Sequence, residues 1–271
     1  MVASRLGLSS LLLVVFALFA EMAPVHAQLT GEAATKTPAK PAAILGPFNE
    51  WVASVAVSPD GNLVATGTYD EIQISKLGSP KPLNAVRHKL GRVRCLVFSN
   101  DGTRLFAGGF RQVAVLNTTS WKVEQEFSDH RAYVTSMSIS PDGRLLATSS
   151  EDTTVRLWNL SVGTSRILYQ EQDDPVTGVA FSPDGSQVAV ASGDDTRPTR
   201  PGHVRLLNAS SGIVVHEFDN HDRAATGVAF SPDGKLVAST SLDEKVKLHS
   251  VETGKVELEY DGHSRPTNAV R

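Results

Sequence analysis

An all-β chain folded as a β-propeller of four-stranded antiparallel blades is what this sequence predicts, from three observations. A turn tetrapeptide returns through the chain. Ser58-Pro59-Asp60-Gly61 recurs as Ser99-Asn100-Asp101-Gly102 and then as Ser-Pro-Asp-Gly from Ser140, Ser182 and Ser231, at start-to-start steps of 41, 41, 42 and 49. Pro presets φ, Asp bonds its own backbone and Gly accepts positive φ, so each copy reads as a tight turn between strands. Residues before each turn alternate in size with the period of two that a pleated strand requires. Third and fourth strand patterns follow each turn, and a fixed period near 40 marks stacked units that bury their faces only against neighbours.

The elements follow in chain order. Residues 1–27 carry Arg5, an apolar run from Leu11 to Ala20 and a Val25-His26-Ala27 site with small outer residues, the pattern of a secretory signal cleaved after Ala27. Leu6 to Ala20 is 15 residues with two serines, short of the ~20 a membrane span needs. An exported, periplasmic or extracellular protein without a stable span is therefore expected. Residues 28–45 are rich in Ala, Pro, Thr and Lys and read as a flexible tether. The propeller is assigned to 46–271.

In the first strands, Val57, Phe98, Ile139, Phe181 and Phe230 stand one place before the turn, and Val55, Leu96, Met137, Val179 and Val228 three before. These form a large apolar face. The opposite face is mostly small, with Ala56, Val97, Ser138, Ala180 and Ala229 in one column and Ser54, Cys95, Ser136, Gly178 and Gly227 in the other. Large against small lets successive sheets pack without voids. Third strands are predicted at 72–77, 113–118, 155–160, 204–209 and 246–251, with a polar turn leading to a fourth in each unit. From Gly262 onward the pattern of His221 to Ala229 begins again, so five blades and the start of a sixth are expected, an incomplete ring. A ring of six or seven blades needs roughly 30 to 70 further residues. The expectation is a truncated product or part of a longer gene, with closure by a second chain as the alternative and Ala43 to Leu45 as an outer strand of a shared blade.

The third copy, from His130 through SISPDGRLLATSSEDTTVRLWNL, resembles a WD repeat, with Asn159 replacing the family's final Asp. That resemblance implies a buried structural quartet of His130, Thr148, Asp152 and Trp158. The fifth copy has His221, Ser239 and Asp243 with His249 in the Trp slot. The first has Thr66 and Asp70 but Phe48 for His, the second His88 but Arg111 for Asp, and the fourth Asp194 alone. Recurrence at the blade period marks His130 and Asp152 as structural rather than as members of a catalytic triad. The resemblance also places contact residues on the rim that carries the loops into the first strand and between the second and third. These are Trp51, Tyr133, Tyr69, Phe110 and Glu151, with Arg92 near the equivalent spot. An extended loop in the fourth copy, 194–202, adds Arg197 and Arg200, suited to carboxylates.

Composition narrows the function classes. A net charge of -3 disfavours nucleic acid as the main ligand, and one cysteine, Cys95, excludes an intrachain disulfide. No clustered metal ligands stand out, and no Cys-x-x-Cys-His for covalent haem occurs. The asparagines of Asn117-Thr118-Thr119, Asn159-Leu160-Ser161 and Asn208-Ala209-Ser210 match a glycosylation sequon but recur where third strands end, which favours turn chemistry. The leading expectation is a non-catalytic binding scaffold in a bacterial envelope, without cofactor or metal, engaging a protein partner or an adjoining domain. The resemblance further implies that a C-terminal enzyme or cytochrome c-type module is often joined to such chains. A propeller enzyme, lactonase-like or a quinoprotein, and a TolB-like periplasmic propeller remain the alternatives. The His-to-Asp spacing of 22 in the third and fifth copies favours the WD class over TolB-like repeats.

Overall fold

A computed structural model describes residues 13–15, 43–45, 50–79, 81–218, 221–263 and 267. The described residues form strands joined by turns, with no helix among them. Five sheets of four antiparallel strands follow one another, each with its strands in chain order. Blade 1 holds Ser54–Val57, Leu63–Gly67, Tyr69–Lys76 and Pro82–Arg92. Blade 2 holds Cys95–Phe98, Arg104–Gly108, Val113–Asn117 and Val123–Phe127. Blade 3 holds Val134–Ile139, Leu145–Ser150, Thr154–Asn159 and Ser165–Gln170. Blade 4 holds Val176–Phe181, Gln187–Ser192, His203–Asn208 and Val214–Glu217. Blade 5 holds Ala225–Phe230, Leu236–Ser241, Val246–Ser250 and Val256–Tyr260.

The tetrapeptide turns join the first and second strands of every blade. In each, the Ser hydroxyl donates to the Asp carboxylate two residues on and accepts the N–H of the residue five on, for example Leu145 N at 2.9 Å from Ser140 Oγ. The closing glycines lie at φ 70–74°, a conformation that only Gly takes at no steric cost. Successive turns also interlock. A Cβ on Gly102, Gly185 or Gly234 would stand 3.6, 3.2 or 3.5 Å from Pro59, Pro141 or Pro183 of the preceding blade.

Among the described residues, four apolar clusters occupy the gaps between consecutive blades. Leu96 and Phe98 of blade 2 pack with Ile72 and Ile74 of blade 1. Met137 packs back onto Val113 and Val115, Val179 and Phe181 onto Val155 and Leu157, and Val228 onto Val204 and Leu206. The large face of each first strand thus points toward the preceding blade. Val57 has no preceding blade among the described residues and is 44% exposed, whereas Phe98 at the same place in blade 2 is 5% exposed. On the small face, Gly178 comes so close to its neighbour that a Cβ there would lie 3.1 Å from Gly227 Cα. Any side chain would push blades 4 and 5 apart.

A column of donors links the blades. Ser54 Oγ, Thr135 Oγ1, Thr177 Oγ1 and Thr226 Oγ1 donate to the carbonyls of Val93, Val176, Ala225 and Thr267 at 2.6 to 2.7 Å, and Cys95 Sγ does the same to Val134 at 3.6 Å. Each acceptor stands at or just before the next first strand. Thr267 takes the corresponding place after blade 5 and bonds the Ser241 carbonyl through its own N–H at 3.1 Å, the start of a sixth unit.

Two details depart from expectation. The third strand of blade 1 begins at Tyr69 rather than residue 72, and its fourth strand runs 11 residues and absorbs His88. Ala43–Leu45 pairs antiparallel with Leu13–Val15 and not with any blade, so it is no outer strand of a shared blade here. The remainder of the segments assigned to a signal and a tether, and Phe48, lie outside the described residues.

Candidate functional site

Antiparallel alternation puts the starts of first and third strands at one rim, with the ends of second and fourth strands. Under that upper rim, in blade 3, the predicted quartet assembles. Trp158 N–H donates to Thr148 Oγ1 at 2.9 Å, the Thr148 hydroxyl donates to His130 Nε2 at 2.6 Å, and His130 Nδ1–H donates to Asp152 at 2.8 Å. Burial alone would raise the Asp152 carboxyl, but bonds from His130, Thr154 and the Arg131 N–H outweigh it and hold the acid well below the usual carboxylate range. Trp158 stacks on Phe127 with ring centres 4.8 Å apart. His130, Thr148 and Trp158 are buried, so the chain of protons is spent on cross-linking strands.

Blade 5 repeats the design with one exchange. His221 Nδ1–H donates to Asp243 at 2.9 Å and Ser239 donates to His221 Nε2 at 2.8 Å, while His249 Nε2–H takes the indole's part toward Ser239 at 2.8 Å. Phe218 lies 4.6 Å from the His249 ring, as Phe127 lies against Trp158. The His249 Nδ1 atom is buried and has no hydrogen-bond partner among the described residues.

The remaining blades use substitutes. In blade 1, Asp70 accepts the Gly91 N–H at 2.6 Å instead of a histidine. The His88 assignment to the quartet of the second copy is corrected by the structure. With Arg111 in the Asp slot no carboxylate waits for a ring, and His88 Nε2 meets Glu126 on the outer strand of blade 2 at 2.9 Å. Asp194 caps Thr196 within its own loop at 2.9 Å.

Sequence reasoning missed one arrangement altogether. Glu171, buried at the start of blade 4, pairs with Arg205 and accepts the Ser192 hydroxyl at 3.0 Å, with Tyr169 Oη 3.4 Å away. Burial, with the Glu171 and Glu217 charges adding to it against Arg205, pushes the Tyr169 phenol up to about 12. The signal was present: Asp129 and Glu171 both stand eleven places before their turn Ser, and Asp129 lies 3.6 Å from Arg156, the repeat equivalent of Arg205.

On the rim itself, Trp51 is 81%, Tyr69 60% and Phe110 49% exposed. Phe110 and Tyr133 meet edge to face at 5.0 Å and form a backbone bridge. Arg94 lies 4.5 Å over the Tyr133 ring and ion-pairs with Glu151, so three of the predicted contact residues come together around an arginine. Tyr69 stands opposite Arg92 in the blade 1 sheet. Arg197 and Arg200 instead meet carboxylates of this chain, Asp194 at 3.1 Å and Asp173 and Asp174 at 3.3 and 3.2 Å. Gly202 exchanges two backbone bonds with His221 at 3.0 and 3.1 Å, so the long loop of blade 4 is strapped to blade 5.

A central cavity of about 880 Å³ is lined by all five first strands, including Arg94, Thr135, Ser136, Ser138 and Thr177. Among the described residues no group of three His, Cys, Asp or Glu is placed to hold a metal ion, and no helix is long and apolar enough to cross a membrane. The sequon asparagines act as turn caps. Asn159 Oδ1 accepts the Ser161 N–H at 3.0 Å and Asn208 Oδ1 that of Ser210 at 3.1 Å.

The profile of the WD domain, G-beta repeat, matches five stretches that together cover more than half of the chain, 40–72, 81–111, 121–159, 163–196 and 212–250. Similar proteins include a p21-activated protein kinase-interacting protein 1-like of Danio rerio, 32% identical over 51% of this chain and 38% of its own length. A guanine nucleotide-binding protein subunit beta of Zea mays is 32% identical over 54% and 43%. An uncharacterized WD repeat-containing protein of Synechocystis is 26% identical over 56% and 44%. The chain spans about two-fifths of the length of these relatives.

Proposed function

We propose, from the premise that this chain belongs to the WD-repeat family, that it is a non-catalytic scaffold whose upper rim binds another protein or an adjoining domain. One observation carries the reading. The histidines that the repeat places in hydrogen-bonded networks, His130, His221 and His249, are buried inside blades 3 and 5, while Trp51, Tyr69 and Phe110 stand in solvent on the rim of blades 1 and 2. Large aromatics of this kind are anchors for protein interfaces, because they bury much area at little entropic cost. Relatives whose names describe a kinase-interacting protein and a subunit of a larger assembly support a protein partner.

We place the scaffold in a bacterial envelope, on the pattern of residues 1–27, with a C-terminal enzyme or cytochrome c-type module as the adjoining domain. Detection of a mature chain starting at Gln28 outside the cytoplasm supports the location, and an intact Met1 chain in the cytosol overturns it.

The binding reading is tested by affinity capture from the native host with the chain and with the W51A/Y69A/F110A variant. A partner held by the first and lost by the second, with circular dichroism unchanged, supports it. Equal recovery on both locates binding elsewhere and sinks it.

A further inference from the structure

The upper rim of blades 1 to 3 carries a cluster of exposed cations that the described carboxylates do not pair with. Lys89, Arg92, Arg111 and Arg131 are all exposed, and none has an acidic partner within ion-pair distance among the described residues. The acids of the same loops are engaged. Asp70 holds the Gly91 N–H, Glu71 holds Arg87, Asp129 holds Arg156, Glu151 holds Arg94 and Asp152 holds His130. Asp70 and Glu50, bonded to the backbone N–H groups of Gly91 and Tyr69 at 2.6 and 3.3 Å, keep their negative charge but pair with none of the four cations.

The four cations sit on one surface, because the three loops that bear them are stitched together. Phe110 N–H donates to Leu90 at 2.6 Å, Gln112 Nε2 to the Lys89 carbonyl at 2.8 Å and Arg111 N–H to Ala132 at 3.0 Å. The patch surrounds the Phe110–Tyr133 pair. Gly91 makes room for it, since a Cβ there would stand 3.0 Å from the Tyr133 hydroxyl. Arg111 holds a left-handed φ of 66°, a conformation that disfavours a long side chain, at a place where blade 1 has Asp70 and blade 3 has Asp152. On blades 4 and 5 the described rim cations Arg197, Arg200 and Lys245 are each paired with an acid and the half-buried Arg223 donates to the Leu242 carbonyl at 3.0 Å, so among the described residues the exposed cations without an acid gather in one sector of a chain whose net charge is -3.

We propose that this three-loop patch docks an acidic peptide segment of a partner protein, with an apolar or aromatic residue of that segment set against Phe110. The proposal rests on the reading of the upper rim as the binding rim and gives its partner a chemistry. Guanidinium forks grip carboxylates in two-point bonds, and rim charge governs partner choice and association rate more than raw affinity.

Fluorescence anisotropy tests it with two short labelled peptides, one of Asp and Glu around a central Phe and one with Lys in place of every acid, and with a single-stranded oligonucleotide. Expected is binding of the acidic peptide at least about tenfold tighter than of the other two, weakening steeply as salt shortens the screening length. The R111E/R131E variant loses about tenfold or more, F110A also weakens, and R144E, an exposed reversal on the lower rim, changes nothing; circular dichroism checks that all three keep their fold. Three results overturn the proposal: equal affinity for acidic and basic peptides, unchanged affinity in R111E/R131E, or no measurable binding of the acidic peptide. Tighter binding of the oligonucleotide overturns it too and assigns the patch to phosphate. A captured partner that R111E/R131E still holds but W51A/Y69A/F110A loses ends the charge assignment alone, and one that both retain ends the rim reading as well.

Discussion

Thr148 takes a proton bond from Trp158 and passes one to His130, so a single hydroxyl satisfies two buried groups. Thr148→Val keeps the volume and strands both. The expected loss is about 2–4 kcal/mol in urea unfolding, since each orphaned buried group costs roughly 1–3 kcal/mol; a loss under half a kcal/mol contradicts the role given to the hydroxyl. His249 makes the corresponding bond in blade 5 with a ring that titrates. Burial, with the His221 and Lys247 charges adding to it, pushes His249 down to about 4 from an ordinary value of 6.5. Asp243 and Glu259 face the same cluster and favour a proton on His221, but burial dominates and lowers that ring as well. Below pH 6.5 the unfolded chain binds a proton at His249 that the folded chain refuses. Stability from this ring is therefore whole above pH 6.5 and declines toward pH 4 by about 1.4 kcal/mol per pH unit. His249→Trp, which restores the blade 3 pattern against Phe218, is expected to remove that part of the decline. Equal slopes in the two proteins across this interval rule the explanation out.

At the scale of the element, the loop of 194–202 is a strap rather than loose decoration. Arg200 reaches back to the loop before blade 4, where Asp174 is 2% exposed, and Gly202 pairs with His221 at the start of blade 5. Arg200→Ala leaves a buried carboxylate without its cation and is expected to speed amide exchange at Gly202 and His221 about tenfold, the equivalent of ~1.4 kcal/mol. Unchanged protection at both amides shows the strap to be held by Gly202 alone. That loop also shows where reading the sequence stopped. The blades were legible because period two and period 41 are written into side-chain size, and the quartet because His130, Thr148, Asp152 and Trp158 sit at fixed offsets. The acid and cation columns of Asp129 and Arg156, and of Glu171 and Arg205, keep the period too. They escaped notice because an acid in a loop and a cation on a strand each pass for solvated residues until the fold sets them side by side, as it does for Asp129 with Arg156 and for the buried Glu171 with Arg205. The pairing of His88 with Glu126 was hidden for a different reason. It joins outer strands of two blades, and that contact depends on where the fourth strand of blade 1 ends.

Across the whole molecule, cohesion lies in the gaps between wedges, and the same kind of residue matters or not according to what precedes it. Phe181 fills the gap between blades 3 and 4 at 8% exposure, whereas Val57 looks into solvent. Phe181→Ala is expected to destabilise by about 3–5 kcal/mol and Val57→Ala by less than about 1 kcal/mol, both read from denaturant midpoints. Comparable losses would mean that the face of blade 1 is covered by something outside the described residues. The fastening between blades carries a last implication. A threonine or serine hydroxyl seeks a main-chain oxygen on the next wedge, and every residue owns such an oxygen. Joints of that sort do not recognise the identity of what they hold. Transplanting 134–170 into the place of 95–127 therefore leaves each of these fastenings a carbonyl to find, and the fit of the apolar faces alone decides whether the exchanged wedge is held.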